Sequence, residues 1–171
     1  MRAAINYVAR GQGRMRYFAN DSRRDTVVLA PEVMAITDSR GLATGLDREG
    51  FALVKHCSAV ADFADSEAVA RVYPAEIERL IAELAGADAV VVTGAGVLRF
   101  AERSAQSGAL DNSRPARFAH VDVSDVAAAQ FADRARPADR AAPRRTAHYN
   151  VWRAISPAPQ DVPLALCDAR T

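Results

Sequence analysis

The chain has 171 residues, the size of one ordinary domain, and half of them are apolar, enough for a substantial core. Its 22 basic and 21 acidic residues nearly cancel, so neither nucleic acid nor an anionic membrane surface is an expected partner. The first residues lack the apolar core of a signal peptide and no window approaches the ~20 apolar residues of a membrane span, which makes a cytoplasmic protein the expectation. Cys57 and Cys167 stand in no metal-ligand spacing and read as reduced, partly buried thiols.

Residues 1–25 carry Gly11, Gly13 and a polar run from Asn20 to Asp25, the composition of a surface arm. Two short β-prone runs follow, 26–31 and 32–37, then turns at 38–41 and 47–50 and an alternating run at 51–56. Together they predict an antiparallel meander. Residues 67–85 repeat apolar side chains at helical spacing, with Asp65 or Ser66 to cap the start and Gly86 to end it. Pro74 inside that stretch predicts a break or a kink, and the helix should lie on a sheet.

Residues 89–93 read as a buried strand that continues at 97–100 beyond Gly94, Ala95 and Gly96, and 101–115 is loop-like. A strand is expected at 117–123. An Ala-rich helix is expected at 125–136, capped by Ser124 or Asp125. The Arg- and Pro-rich residues 134–145, with Pro137 and Pro143, read as a flexible loop. A strand at 146–155, a proline-punctuated connector and a last strand at 164–170 complete the chain, which reads as a single domain over 1–171.

Chemistry concentrates at His120 and Asp122. Two residues apart on a strand, they would share a face and offer one imidazole and one carboxylate to a metal. A second histidine from elsewhere would complete the facial triad that leaves open positions on Fe(II). No histidine follows Arg153; of the other two, His56 and His148, His148 reads as structural. A half-buried strand histidine with no metal is the plainer alternative. Gly94 and Gly96 invite a dinucleotide loop, but Arg99 stands where close helix packing needs a small residue, so a turn is the simpler reading.

Four stretches resemble, in order, the CmcJ/NvfI-like family of hydroxylases and desaturases, which includes gibberellin-desaturase-like proteins. They are residues 36–40 with 46–54; 60–63 through Tyr73 and Glu76 to Gly86 and Ala87; His120-Val121-Asp122; and Asn150-Val151-Trp152-Arg153 with residues 163–168. The resemblance runs from about residue 33 to the end. It implies an α+β, mainly β fold, a partial double-stranded β-helix (jelly roll) with one or two helices packed on the sheet.

The implied function is that of an Fe(II)/2-oxoglutarate-dependent hydroxylase or desaturase of a small secondary-metabolism substrate. His120 and Asp122 match the family's metal motif, and Asn150, Trp152 and Arg153 match a substrate or co-substrate signature. Arg153 could offer its planar fork to a carboxylate or serve a structural ion pair. Members of the family continue beyond the stretch ending at Asp168, so the expectation is a domain incomplete at its C-terminus, with open sheet edges available for self-association. Two alternatives stand beside this one: a non-catalytic remnant or partner-binding module of the same fold, and a nucleotide-binding α/β domain.

Overall fold

The computed structural model describes all residues of 1–171 except 12, 14, 19, 20, 95, 111–113, 137 and 140. The expected features that involve Asn20, Ala95, residues 111–113 and Pro137 lie in part outside the described residues. The chain divides into two compact units. The first comprises Met1–His56, Gly96–His120 and Ser156–Thr171; the second comprises Cys57–Ala95 and Val121–Ile155.

The first unit is built on an antiparallel pair, β1 (Arg2–Val8) and β2 (Leu29–Ala35), registered from Arg2 opposite Ala35 to Val8 opposite Leu29. Strand β1 falls in the region expected to be an arm. Strand β2 merges the two runs expected to be separate at 26–37. The ladder continues past both ends, where Ala9 N–H donates to the Val28 carbonyl at 2.9 Å and Ile36 N–H to the Met1 carbonyl at 2.8 Å.

Those two bonds make the odd-numbered residues of β1 the hydrogen-bonded partners, so Pro31, opposite Asn6, occupies a non-bonded position. A residue without an N–H can sit inside the strand only there. Between the strands, a 3₁₀ turn at Ser22–Arg24 closes a loop held by Thr26 N–H to the Arg16 carbonyl, 3.0 Å, and Phe18 N–H to Asp25 Oδ1, 2.7 Å.

The second unit carries the two helices. Helix α1 (Ser66–Ala85) starts where Asp65 Oδ1 accepts the N–H groups of Glu67 and Ala68, both at 3.0 Å, and stops at Gly86 in the left-handed conformation. It continues through Pro74 without a break. The cost is local, because an imino acid there gives nothing to the Ala70 carbonyl. Val69 and Ile77 on α1, with Val60 before it, form the buried apolar core. Helix α2 (Asp125–Ala135) is capped by Ser124, whose hydroxyl accepts Ala127 N–H at 3.3 Å.

Among the described residues, β1 and β2 are the regular strands. The runs at 51–56, 89–93, 117–123, 146–155 and 164–170 were expected to be strands from β-propensity alone, and they carry no ladder. Propensity describes fitness for a pleated surface, and a strand exists only where a neighbour supplies the other half of its hydrogen bonds. The run 117–123 makes one rung: Ala119 N–H donates to the Asn6 carbonyl at 2.7 Å, and the Asn6 side-chain amide donates to the Arg117 carbonyl at 2.8 Å.

Candidate functional site

His120 is the last residue of the first unit and Asp122 belongs to the second, so each is placed by its own surroundings. The rung between Asn6 and residues 117–119 brings His120 to the edge of β1. Its ring lies 5.1 Å from that of Phe118, which in turn meets Tyr17 edge-on at 5.1 Å. His120 Nδ1 lies 2.8 Å from the Phe118 carbonyl oxygen. A carbonyl can only accept, so Nδ1 carries a proton, and in the neutral imidazole the lone pair falls to Nε2. That tautomer is the one a metal-binding imidazole adopts when its outer nitrogen is anchored to backbone.

Asp122 precedes α2 and its carboxylate accepts a short hydrogen bond from the Asn150 side-chain amide. Two residues that the sequence singles out, 28 positions apart, are thus brought together. An amide donor fixes the direction of a carboxylate without neutralising it, which is the support a ligating carboxylate needs. Both His120 and Asp122 are exposed.

The segment 148–153 is fastened to both helices of its unit. His148 Nε2 lies 3.1 Å from the Ala128 carbonyl on α2, with its ring 6.2 Å from Phe131. His148 therefore has the structural role expected of it. Arg153 Nε donates to the Tyr73 hydroxyl at 3.2 Å, and its guanidinium lies 5.4 Å from the ring centres of both Phe63 and Tyr73. Those rings pack edge-to-face at 5.3 Å and 88°, so Arg153 is held against α1 by aromatic faces and a phenol. Trp152 is exposed.

Sequence reasoning missed two buried carboxylates. Glu76 on α1 accepts from the Ser58 hydroxyl at 2.6 Å and from Ala59 N–H at 2.7 Å. A signal was present, because Glu76 interrupts the apolar stripe of Val69, Val72, Tyr73, Ile77 and Leu80. Glu49 accepts from Gly45 N–H at 2.8 Å and from Arg48 Nε at 2.5 Å, and Arg170 stands 3.3 Å away. Burial works against its charged form, but the Gly45 N–H, the Arg48 hydrogen bond and the two guanidinium charges outweigh it and lower the carboxyl below its ordinary value. Asp168 is lowered to about 2, first by the hydrogen bond from the Arg170 side chain and then by the Arg170 backbone N–H. No local pattern announced Glu49.

Cys57 and Cys167 are free and both exposed, where part-burial was expected. Among the described residues no group of three or more His, Cys, Asp or Glu side chains could hold a metal ion. No helix among them is long and apolar enough to cross a membrane. Among the described residues no helix begins between Gly96 and Asp125, so there the glycine pair supplies no helix N-terminus for a phosphate.

A family model described as an oxidoreductase/YMDC permease-like domain matches residues 5–171. The chain belongs to that family. This oxidoreductase-family chain is also similar to the hydroxylase/desaturase CTB9 of Cercospora beticola, with 34% identity over 138 residues, 74% of this chain and 42% of that protein. It thus spans about two fifths of the length of the curated relative it matches. No solved structure matches it.

Proposed function

We propose that this chain is part of a non-haem Fe(II)/2-oxoglutarate-dependent hydroxylase or desaturase acting on a small molecule, within a jelly-roll fold. The observation that carries the reading is the Asn150 amide on the Asp122 carboxylate, which joins the His-x-Asp stretch to the Asn-x-Trp-Arg stretch. Support comes also from the family match and from the likeness to a hydroxylase/desaturase.

The donor set fits such a metal in part. His120 presents Nε2 as its basic nitrogen because Nδ1 is engaged with the Phe118 carbonyl, and Asp122 supplies an oriented anionic oxygen. By their His-x-Asp spacing in the sequence, these two would be ligands of the iron, with a third from outside the described residues. When bound, the iron would supply activation of dioxygen, with 2-oxoglutarate as the co-substrate oxidised, for C–H hydroxylation or desaturation. The chain's own contribution is orientation: Phe118 fixes the imidazole tautomer and Asn150 the carboxylate direction. Arg153, engaged with Tyr73, would act as a brace between segment 148–153 and α1.

The test is anaerobic titration of the chain with Fe(II), followed by succinate formation from 2-oxoglutarate. His120→Ala and Asp122→Ala should each abolish both signals, and Asn150→Ala should weaken metal binding by roughly 10–100-fold. Metal binding that is unchanged in all three variants would end the proposal. A second reading, a non-catalytic partner-binding module, is favoured by the lack of a three-ligand cluster among the described residues. It predicts no Fe(II) binding at micromolar metal.

A further inference from the structure

We infer that a cleft lying wholly in the first unit is a binding site for a planar aromatic carboxylate. The cleft has a volume of about 620 Å³ and is lined on its apolar side by Tyr17, Phe118, Val27 and Leu29. That volume suits a ligand of two or three fused rings. Tyr17 and Phe118 meet edge-to-face, so their assembly offers ring faces and edges to a planar guest.

The charges along the cleft give it a direction. Of its two cations, Arg117 is paired with Glu102 at 2.9 Å. Among the described residues no carboxylate stands within ion-pair distance of the other, Arg114. Its guanidinium lies against Gly108, where an added Cβ would come within 2.5 Å of Nε and 3.0 Å of Cζ. The missing side chain at Gly108 is what lets the guanidinium occupy that position.

Asp25, which also lines the cleft, is committed to Phe18 N–H at 2.7 Å, and its charge would repel an anion. The Tyr17 hydroxyl is held above the ordinary phenol value, by burial first and by Asp25 second, so at neutral pH it remains an O–H donor. An acid group is therefore directed to Arg114 and the rings toward Tyr17 and Phe118. Phe118 also contacts the His120 ring of the same unit, so the cleft would hold substrate beside that imidazole. That role rests on the functional reading above; the ligand class does not.

Metal-free calorimetric titration with 2-naphthoate and with its neutral analogue 2-naphthalenemethanol tests the inference. The acid should bind about tenfold more tightly than the alcohol, the gain typical of one charge-assisted pair. Arg114→Gln should remove that difference and leave the alcohol's affinity unchanged, whereas Tyr17→Ala should weaken both ligands. Arg79→Gln, on the exposed surface of α1, should change neither. Gly108→Ala, which displaces the guanidinium, repeats the test should Arg114→Gln not fold by circular dichroism.

Equal binding of acid and alcohol, or no binding of either at millimolar ligand, would overturn the inference. So would 2-oxoglutarate, which has no ring, binding as tightly as naphthoate. Naphthoate binding in a chain that takes no Fe(II) defeats the functional reading and not the cleft. Fe(II) binding without naphthoate binding does the reverse.

Discussion

Glu49 and Glu76 are both buried carboxylates, yet the donors seen around them differ in kind. Those seen at Glu76 include one hydroxyl and one backbone N–H, from residues 18 and 17 positions away. Glu49 is met by a backbone N–H and two guanidinium groups, one adjacent and one from Arg170, while its own carbonyl accepts Ala169 N–H at 3.0 Å. Neutral dipoles pin a loop to a helix with bonds that salt hardly screens. A shell of charges can draw in a segment 120 residues away, at the cost of sensitivity to salt and acid.

The largest effect should follow removal of the neutral-donor anchor. Glu76→Ala leaves the Ser58 hydroxyl and Ala59 N–H without an acceptor and should cost about 3 kcal/mol in urea-unfolding free energy. Glu76→Gln keeps an acceptor oxygen and should cost about 1 kcal/mol. Equal losses in the two variants would mean that the carboxylate charge, and not the accepting geometry, matters there.

In the charged region the sharpest backbone test is Gly50→Ala. Gly50 has φ of 81°, and an added Cβ would stand 3.3 Å from the Ala169 Cβ, so the substitution should cost about 2 kcal/mol. No loss would show that the contact between Gly50 and Ala169 is slack. Ser58→Ala removes one of the two neutral donors while leaving Ala59 N–H in place, and should cost about 1 kcal/mol.

The smallest and most conditional effect belongs to the exposed ion pairs of the charged region. Asp168 titrates at about 2 in the folded chain against 3.8 for the ordinary group, so its contribution is complete above pH 3.8 and is lost as pH falls toward 2. Glu49, also lowered, acts in the same sense. Arg170→Leu should flatten the dependence of the urea midpoint on pH between 4 and 2, and 1 M salt should mimic it in part. A variant that retains the parent's acid slope would remove Arg170 from the account.

Both helices were legible because every decisive interaction is local. Asp65 caps α1 through bonds two and three residues on, Ser124 caps α2 three residues on, and Gly86 ends α1 at the one place where a left-handed residue is needed. The His120-x-Asp122 spacing and the signature at Asn150, Trp152 and Arg153 stand in the sequence itself. The partners of these residues were not. That Asp122 receives Asn150, that Arg153 leans on Tyr73 and Phe63, and that Phe118 links Tyr17 to His120 are facts of the folded chain.

Strands divide along the same line. Residues 2–8 look like an arm until 29–35 are laid beside them, and 89–93 look like a strand although no ladder partner lies alongside among the described residues. By itself the sequence determined the two helices with their caps and singled out His120, Asp122, Asn150, Trp152 and Arg153 as candidates. Tertiary structure alone decided which extended segments became strands, which carboxylates were buried, and where a cleft formed beside His120. The physical reason is the range of the bonds: a helix closes its hydrogen bonds within four residues, whereas a ladder or a buried charge depends on a partner anywhere in the chain.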